Sequence, residues 1–104
     1  MSPKKTTFTF SLYGQPVKVD FSDPKDWSDD AMGRANSRNW LISIADNLTP
    51  AVEINVLLHE MIHMICDTQD VKINEQAVTV VANGLLDIFN NNPEMLGKVF
   101  GEPK

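Results

Sequence analysis

The segment Leu57–His63 limits what this chain can fold into more than any other, because it places two histidines and a glutamate in a strongly apolar stretch. Its sequence, LLHEMIH, has the spacing HExxH and contains the only two histidines of the chain. In an α-helix His59 and His63 lie one turn apart on the same face, so both imidazoles can converge on one metal ion. Glu60 lies beside them, where its carboxylate can accept a proton from a water molecule.

The residues around this segment predict a buried helix. Most residues between Ala51 and Ile65 are apolar, and a helix that is apolar almost all round is buried. Each buried polar group without a partner costs about 1–3 kcal/mol, and a charged one costs more. Two histidines and a glutamate on such a helix therefore need partners, and a metal ion supplies them. The alternative is a chance match in which the histidines form hydrogen bonds within the core.

Capping residues predict where the helices begin and end. Thr49 is placed as the N-cap and Pro50 as the first residue of the histidine-containing helix, which we expect to run from Pro50 to Cys66. Asn74 is a suitable N-cap for a second helix, Glu75–Asn90, that folds back antiparallel to the first. A short last helix is expected over Pro93–Phe100.

Alternating apolar residues predict strands before the helices. Thr7–Tyr13 and a run from Pro16 to Phe21 form a predicted β-hairpin, Met32–Ala35 is a short candidate strand, and Trp40–Ala45 is a further strand. The expected fold class is α+β, with an N-terminal antiparallel sheet of three or four strands followed by the buried HExxH helix and a second antiparallel helix.

The bulk properties narrow the classes of function. A chain of 104 residues predicts one domain, 1–104, with 1–6 and 101–104 flexible. The net charge is −5 and the basic residues form no cluster beyond Lys4 and Lys5, so nucleic-acid binding is unsupported. No apolar run is long enough for a membrane span and no signal sequence is seen, so we expect a cytoplasmic protein without a membrane partner. The single cysteine, Cys66, agrees with a reducing compartment.

A catalytic zinc site usually has three protein ligands, and the third must be Asp, Glu or Cys here because no further histidine exists. Asp67 lies one turn beyond His63, about 6 Å further along the helix axis and pointing away. Asp70 follows with no glycine to turn the chain sharply. Glu75 opens the next helix, which can bring it back to His63, and it is the preferred candidate. Its alternative role is a surface acid at a helix N-terminus.

The order and spacing of these motifs along the chain resemble those of a known class of enzymes. HEMIH is followed by Ile73–Val78, with sequence INEQAV, and preceded by Leu41–Ile44, with sequence LISI. Over Gly33–Phe89 the chain resembles the gluzincin-type zinc metallopeptidases, above all the small phage and bacterial proteins related to the ImmA/IrrE and SprT-like groups. One departure is Thr79, which stands where the thermolysin-like pattern has an aspartate four residues after the ligand glutamate.

The resemblance implies a function and a set of site residues. His59, His63 and Glu75 would be zinc ligands and Glu60 the catalytic base of a peptidase acting on a peptide or protein substrate. An edge strand, with Trp40–Ala45 as the candidate, would pair with extended substrate. The cleft should be shallow and open.

Two other functions remain open at this stage. One is a catalytically silent zinc-binding regulatory module of phage type. The other is a structural metal site closed by Asp67 or Cys66 as a fourth ligand. The donor that stabilises an oxyanion is also open, with Tyr13, Arg34 and Arg38 as the candidates.

Overall fold

A computed structural model describes residues 6–27 and 31–100, apart from the side chains of Asp26, Leu96, Val99 and Phe100. Apart from Thr6, the predicted flexible ends lie outside the described residues. Four strands precede three helices, as predicted for an α+β domain. They are β1 (Phe8–Leu12), β2 (Gln15–Ser22), β3 (Gly33–Asn36), β4 (Leu41–Ala45), α1 (Pro50–Thr68), α2 (Glu75–Asn91) and α3 (Pro93–Phe100), with a short 3₁₀ turn at Pro24–Asp26.

The sheet is mixed, so the prediction of an antiparallel sheet was wrong. The strand order is β1-β2-β4-β3, and β2 pairs with β4 in parallel while the other two pairs are antiparallel. Parallel neighbours need a crossover connection, and here the chain between them includes β3, which lies beyond β4. The alternation of apolar and polar residues along each strand does not encode the strand order, because the same alternation occurs in an antiparallel sheet and in a mixed sheet.

Strand β4 lies inside the sheet, which corrects its prediction as an edge strand. It is hydrogen-bonded to β2 on one side and to β3 on the other. Ile42, Ile44 and Ala45 are buried. Ile42 and Ile44 stand opposite Val19 and Phe21 of β2. Among the described residues, the edges of the sheet are therefore β1 and β3.

Helix α1 packs on this sheet and forms the main core. Buried residues of β2, β4 and α1 make one cluster: Val17, Val19, Ile42, Ile44, Val56 and Met64. The prediction of a buried helix holds for only part of α1, because its apolar residues Val52, Ile54 and Ile65 are 40–48% exposed. The sheet covers one side of α1 and α2 a second, and in the described part of this small domain a third side stays open.

Helix α2 packs against α1 in a second, smaller cluster of Ile62, Val78 and Ala82. Its N-cap is Asn74, as predicted, and the Asn74 side chain accepts a hydrogen bond from the backbone N–H of Ala77 at 2.7 Å. Thr49 is likewise the N-cap of α1, without a side-chain hydrogen bond. Every helix in the described ranges is too short or too polar to cross a membrane.

Candidate metal centre

Two helices position the candidate metal ligands. His59 and His63 lie one turn apart on α1, and Glu75 is the first residue of α2. The side chain of Asn55 on α1 donates a hydrogen bond to Asn83 on α2 at 2.8 Å. Asn55 lies eight residues before His63 on α1, and Glu75 lies eight residues before Asn83 on α2. Asn55 contacts Asn83 and His63 contacts Glu75, so the contacts run in opposite order along the two helices. Helix α2 therefore folds back along α1, which brings its first residue to the histidines.

Glu75 binds both imidazoles at once. Its Oε2 lies 2.9 Å from His59 Nε2 and its Oε1 lies 2.8 Å from His63 Nε2. The two imidazole rings have centroids 5.0 Å apart. Among the described residues, these three side chains form the one group of His, Cys, Asp and Glu that could hold a metal ion, with ligand atoms all within 4.8 Å of one another. The structure thus brings together the three residues that the sequence selected.

This donor set fits zinc. Two imidazole nitrogens and one carboxylate are ligands that zinc takes, with bonds of about 2.0–2.1 Å and a tetrahedral arrangement. Such bonds place ligand atoms about 3.3–3.4 Å apart, so the Glu75 oxygens, which lie 2.8–2.9 Å from the imidazole nitrogens, would have to shift for zinc to bind. The Glu75 side chain is 73% exposed, which leaves it free to make that adjustment. Among the described residues no fourth protein side chain joins the group.

Glu60 is the buried acid of the site. It is 8% exposed and lies on α1 directly after His59. Burial raises the pKa of its carboxyl group, a shift opposed by the nearby histidines and reinforced by the charge of Glu75. The pKa of Glu75 shifts in the opposite direction. Partial desolvation raises its pKa, but the hydrogen bond from His59 and the charges of His63 and His59 outweigh that effect, and its pKa falls below the ordinary value.

The four residues line one open cleft of about 490 Å³. The other residues that line it are Ala31, Met32, Gly33, Asn55, Val56 and Thr79. None of these six was predicted as a functional residue, although Thr79 was noted as a departure from the resembling class. Asn55 could have been found, because it precedes His59 by one helical turn and therefore shares its face. The sequence indicates Gly33 as a site residue less clearly than Asn55. A glycine within a strand often marks a place where another group approaches the backbone closely.

The other sequence candidates lie elsewhere. Asp67 and Asp70 line a neighbouring cavity that also touches His63, and they are not part of the ligand group. Cys66 packs against the α1–α2 core cluster.

The three candidate oxyanion donors also lie away from the cleft. Tyr13 and Arg38 line a separate cavity near the end of α1. The Arg34 guanidinium lies over the ring of Trp27, 5.0 Å from its centroid. None of the three side chains lines the cleft.

The edge of the sheet beside the cleft is β3. The backbone N–H of Ala45 donates to the carbonyl of Met32 at 2.9 Å, and Gly33 stands opposite Ile44. Hydrogen-bonded and non-hydrogen-bonded pairs alternate along antiparallel strands. Gly33 therefore belongs to a non-hydrogen-bonded pair, and its N–H and C=O point away from β4 towards the edge.

No family model, curated protein or solved structure matches this chain in comparisons with known proteins. The resemblance to gluzincin-type peptidases therefore depends on the spacing of the site residues along the chain.

Proposed function

We propose that this protein is a zinc-dependent peptidase in which His59, His63 and Glu75 hold the metal and Glu60 is the general base. The observation that supports it most is the convergence of the three ligand side chains in one open cleft, with a buried glutamate directly beside them. Zinc bound by these residues supplies a Lewis acid, which makes water more acidic and polarises a carbonyl group.

Glu60 performs the proton transfers in this proposal. Its carboxylate accepts a proton from the attacking water and later passes that proton to the leaving amine nitrogen. Burial favours such a role, because it raises the pKa of the carboxyl group and so strengthens the carboxylate as a base. A site that only stabilised the fold would not need a carboxylate at this position.

Strand β3 is an edge of the sheet among the described residues, and this edge suggests how an extended peptide could bind. Gly33 lines the cleft, and its backbone N–H and C=O point towards the sheet edge. A peptide added as a further strand would form backbone hydrogen bonds there while its carbonyl groups pass the ligand cluster. This proposal replaces β4 by β3 as the substrate-binding strand.

The test is cleavage of a mixed peptide library by the zinc-loaded protein, followed by mass spectrometry. We expect zinc-dependent cleavage by the wild type and a loss of about 10²–10⁴-fold in Glu60→Gln, the range in which positioned general bases contribute. Both proteins should contain the same amount of zinc, since Glu60 is not a ligand. Glu94→Gln on α3 is the matched control and should cleave like the wild type.

Two results would contradict the proposal. Cleavage that persists in Glu60→Gln would remove Glu60 from the mechanism. A wild type that binds zinc and cleaves no peptide would favour the alternative, a catalytically silent zinc-binding regulatory module.

A further inference from the structure

Gly33 makes an unusually close approach to helix α1. A Cβ atom placed on Gly33 would lie 2.6 Å from Val56 Cγ1, 3.0 Å from Glu60 Cγ and 3.3 Å from Glu60 Oε2. Real Cβ atoms essentially never approach a neighbour more closely than 3.0 Å, so the 2.6 Å contact with Val56 would force something to shift. Val56 and Glu60 are one turn apart on α1 and so face β3 together.

Neither neighbour can move away freely. Val56 is 8% exposed and belongs to the main core cluster, and its β-branched side chain has few alternative rotamers. Glu60 is equally buried, and its carboxylate lies in the cleft beside the histidines. The absence of a side chain at Gly33 therefore sets both how closely β3 approaches α1 and how much space the Glu60 carboxylate has.

We propose that Gly33 is a positioning residue for Glu60. Because Gly33 has no side chain, strand β3 can lie close to α1 and hold the Glu60 carboxylate beside His59 and His63. The importance of that position for catalysis rests on the proposed function, whereas the contact itself does not. A Cβ at residue 33 would lie 3.0 Å from Glu60 Cγ, so the Glu60 side chain would have to give by a few tenths of an ångström, and we expect His59, His63 and Glu75 to stay where they are.

The experiment compares Gly33→Ala with the wild type, both as zinc-loaded full-length chains at one pH. Two quantities are measured: the ¹³C resonance of the Glu60 carboxyl carbon, and the zinc dissociation constant by competition with a chelator. We expect the resonance to shift. The dissociation constant should stay within about threefold, well below the roughly 10–100-fold loss caused by removing a partner of a metal ligand.

Gly84→Ala on α2 is the matched control. A Cβ at Gly84 meets nothing within 4 Å, so the substitution adds a methyl group without a contact. It should leave the Glu60 resonance unchanged and raise the melting temperature, because alanine favours a helix over glycine.

The double variant Gly33→Ala/Val56→Ala covers the case in which Gly33→Ala does not fold. Removing the Val56 methyl groups relieves the 2.6 Å contact and leaves the 3.0 Å contact to Glu60 Cγ. The Glu60 resonance should still differ from that of Val56→Ala alone.

An unshifted Glu60 resonance in Gly33→Ala, or identical resonances in the double variant and Val56→Ala, would overturn the inference. A shifted resonance in a protein whose wild type cleaves no peptide would leave the inference standing and refute only the proposed function.

Discussion

At the scale of single residues, the site combines four side chains in different environments. His59 and His63 are each 21% exposed at the side chain, and the Nε2 atom of each lies within 2.9 Å of a Glu75 carboxylate oxygen. The Glu75 side chain is 73% exposed and has room to adjust to a metal ion, whereas Glu60 is 8% exposed and closely surrounded. An adjustable proposed ligand and a closely packed proposed base would suit a site that binds a metal ion and transfers protons.

Removing the Glu75 carboxylate should weaken zinc binding. In Glu75→Ala the site keeps two imidazoles and loses its third ligand and its only carboxylate ligand, so the zinc dissociation constant should rise more than about 100-fold, beyond the effect of a lost partner of a ligand. Gln76→Ala is the control, because its side chain is exposed and does not line the cleft. Competition with a chromophoric chelator measures the zinc dissociation constant of both variants. Equal affinity in the two variants would exclude Glu75 as a ligand.

At the scale of elements, the sequence predicted the four strands and three helices close to their observed bounds, because alternation and capping act over neighbouring residues. It did not predict their arrangement. The insertion of β4 between β2 and β3 depends on pairing between distant segments, which alternation does not encode. For the same reason alternation predicts neither the position of Trp40–Ala45 inside the sheet nor the close approach of Gly33 to α1. Glu75 could be selected because a short connection limits where α2 can begin relative to His63.

The cap of α2 should affect both the fold and the site. Asn74→Ala removes the acceptor for the Ala77 N–H, so the free energy of unfolding of the metal-free protein should fall by about 0.5–2 kcal/mol. Glu75 is the first residue after this cap, and fraying there should also weaken zinc binding. Urea unfolding in the presence of a chelator and a separate zinc titration measure the two effects.

Asn74→Ser is the conservative control for that cap, because a serine hydroxyl can accept the same hydrogen bond. It should retain most of the stability and the zinc affinity. A serine variant as unstable as the alanine variant would show that the cap hydrogen bond is not the cause.

At the scale of the whole molecule, the described part of the domain has two core clusters that share helix α1. One joins the sheet to α1, and the smaller one joins α1 to α2. Only Val78 and Ala82 of α2 are buried, while Val81, Ile88 and Phe89 remain 36–42% exposed, so this helix has little apolar surface to hold it. The candidate metal ligands span the same junction, with His59 and His63 on α1 and Glu75 on α2. A metal ion there would cross-link α2 to the rest of the fold.

Zinc should therefore stabilise the whole domain. Because the unfolded chain does not hold the three ligands together, zinc at 100 times its dissociation constant should add about 2.7 kcal/mol to the free energy of unfolding. For a domain of this size that corresponds to a rise in melting temperature of about 10–20 °C, reversed by a chelator. Thermal scans of the wild type, Glu60→Gln and His63→Ala with zinc and with chelator measure it. Glu60→Gln should gain as much as the wild type, because it keeps all three ligands, and His63→Ala should gain little. Equal melting temperatures of the wild type with zinc and with chelator would show that no metal ion links α1 to α2.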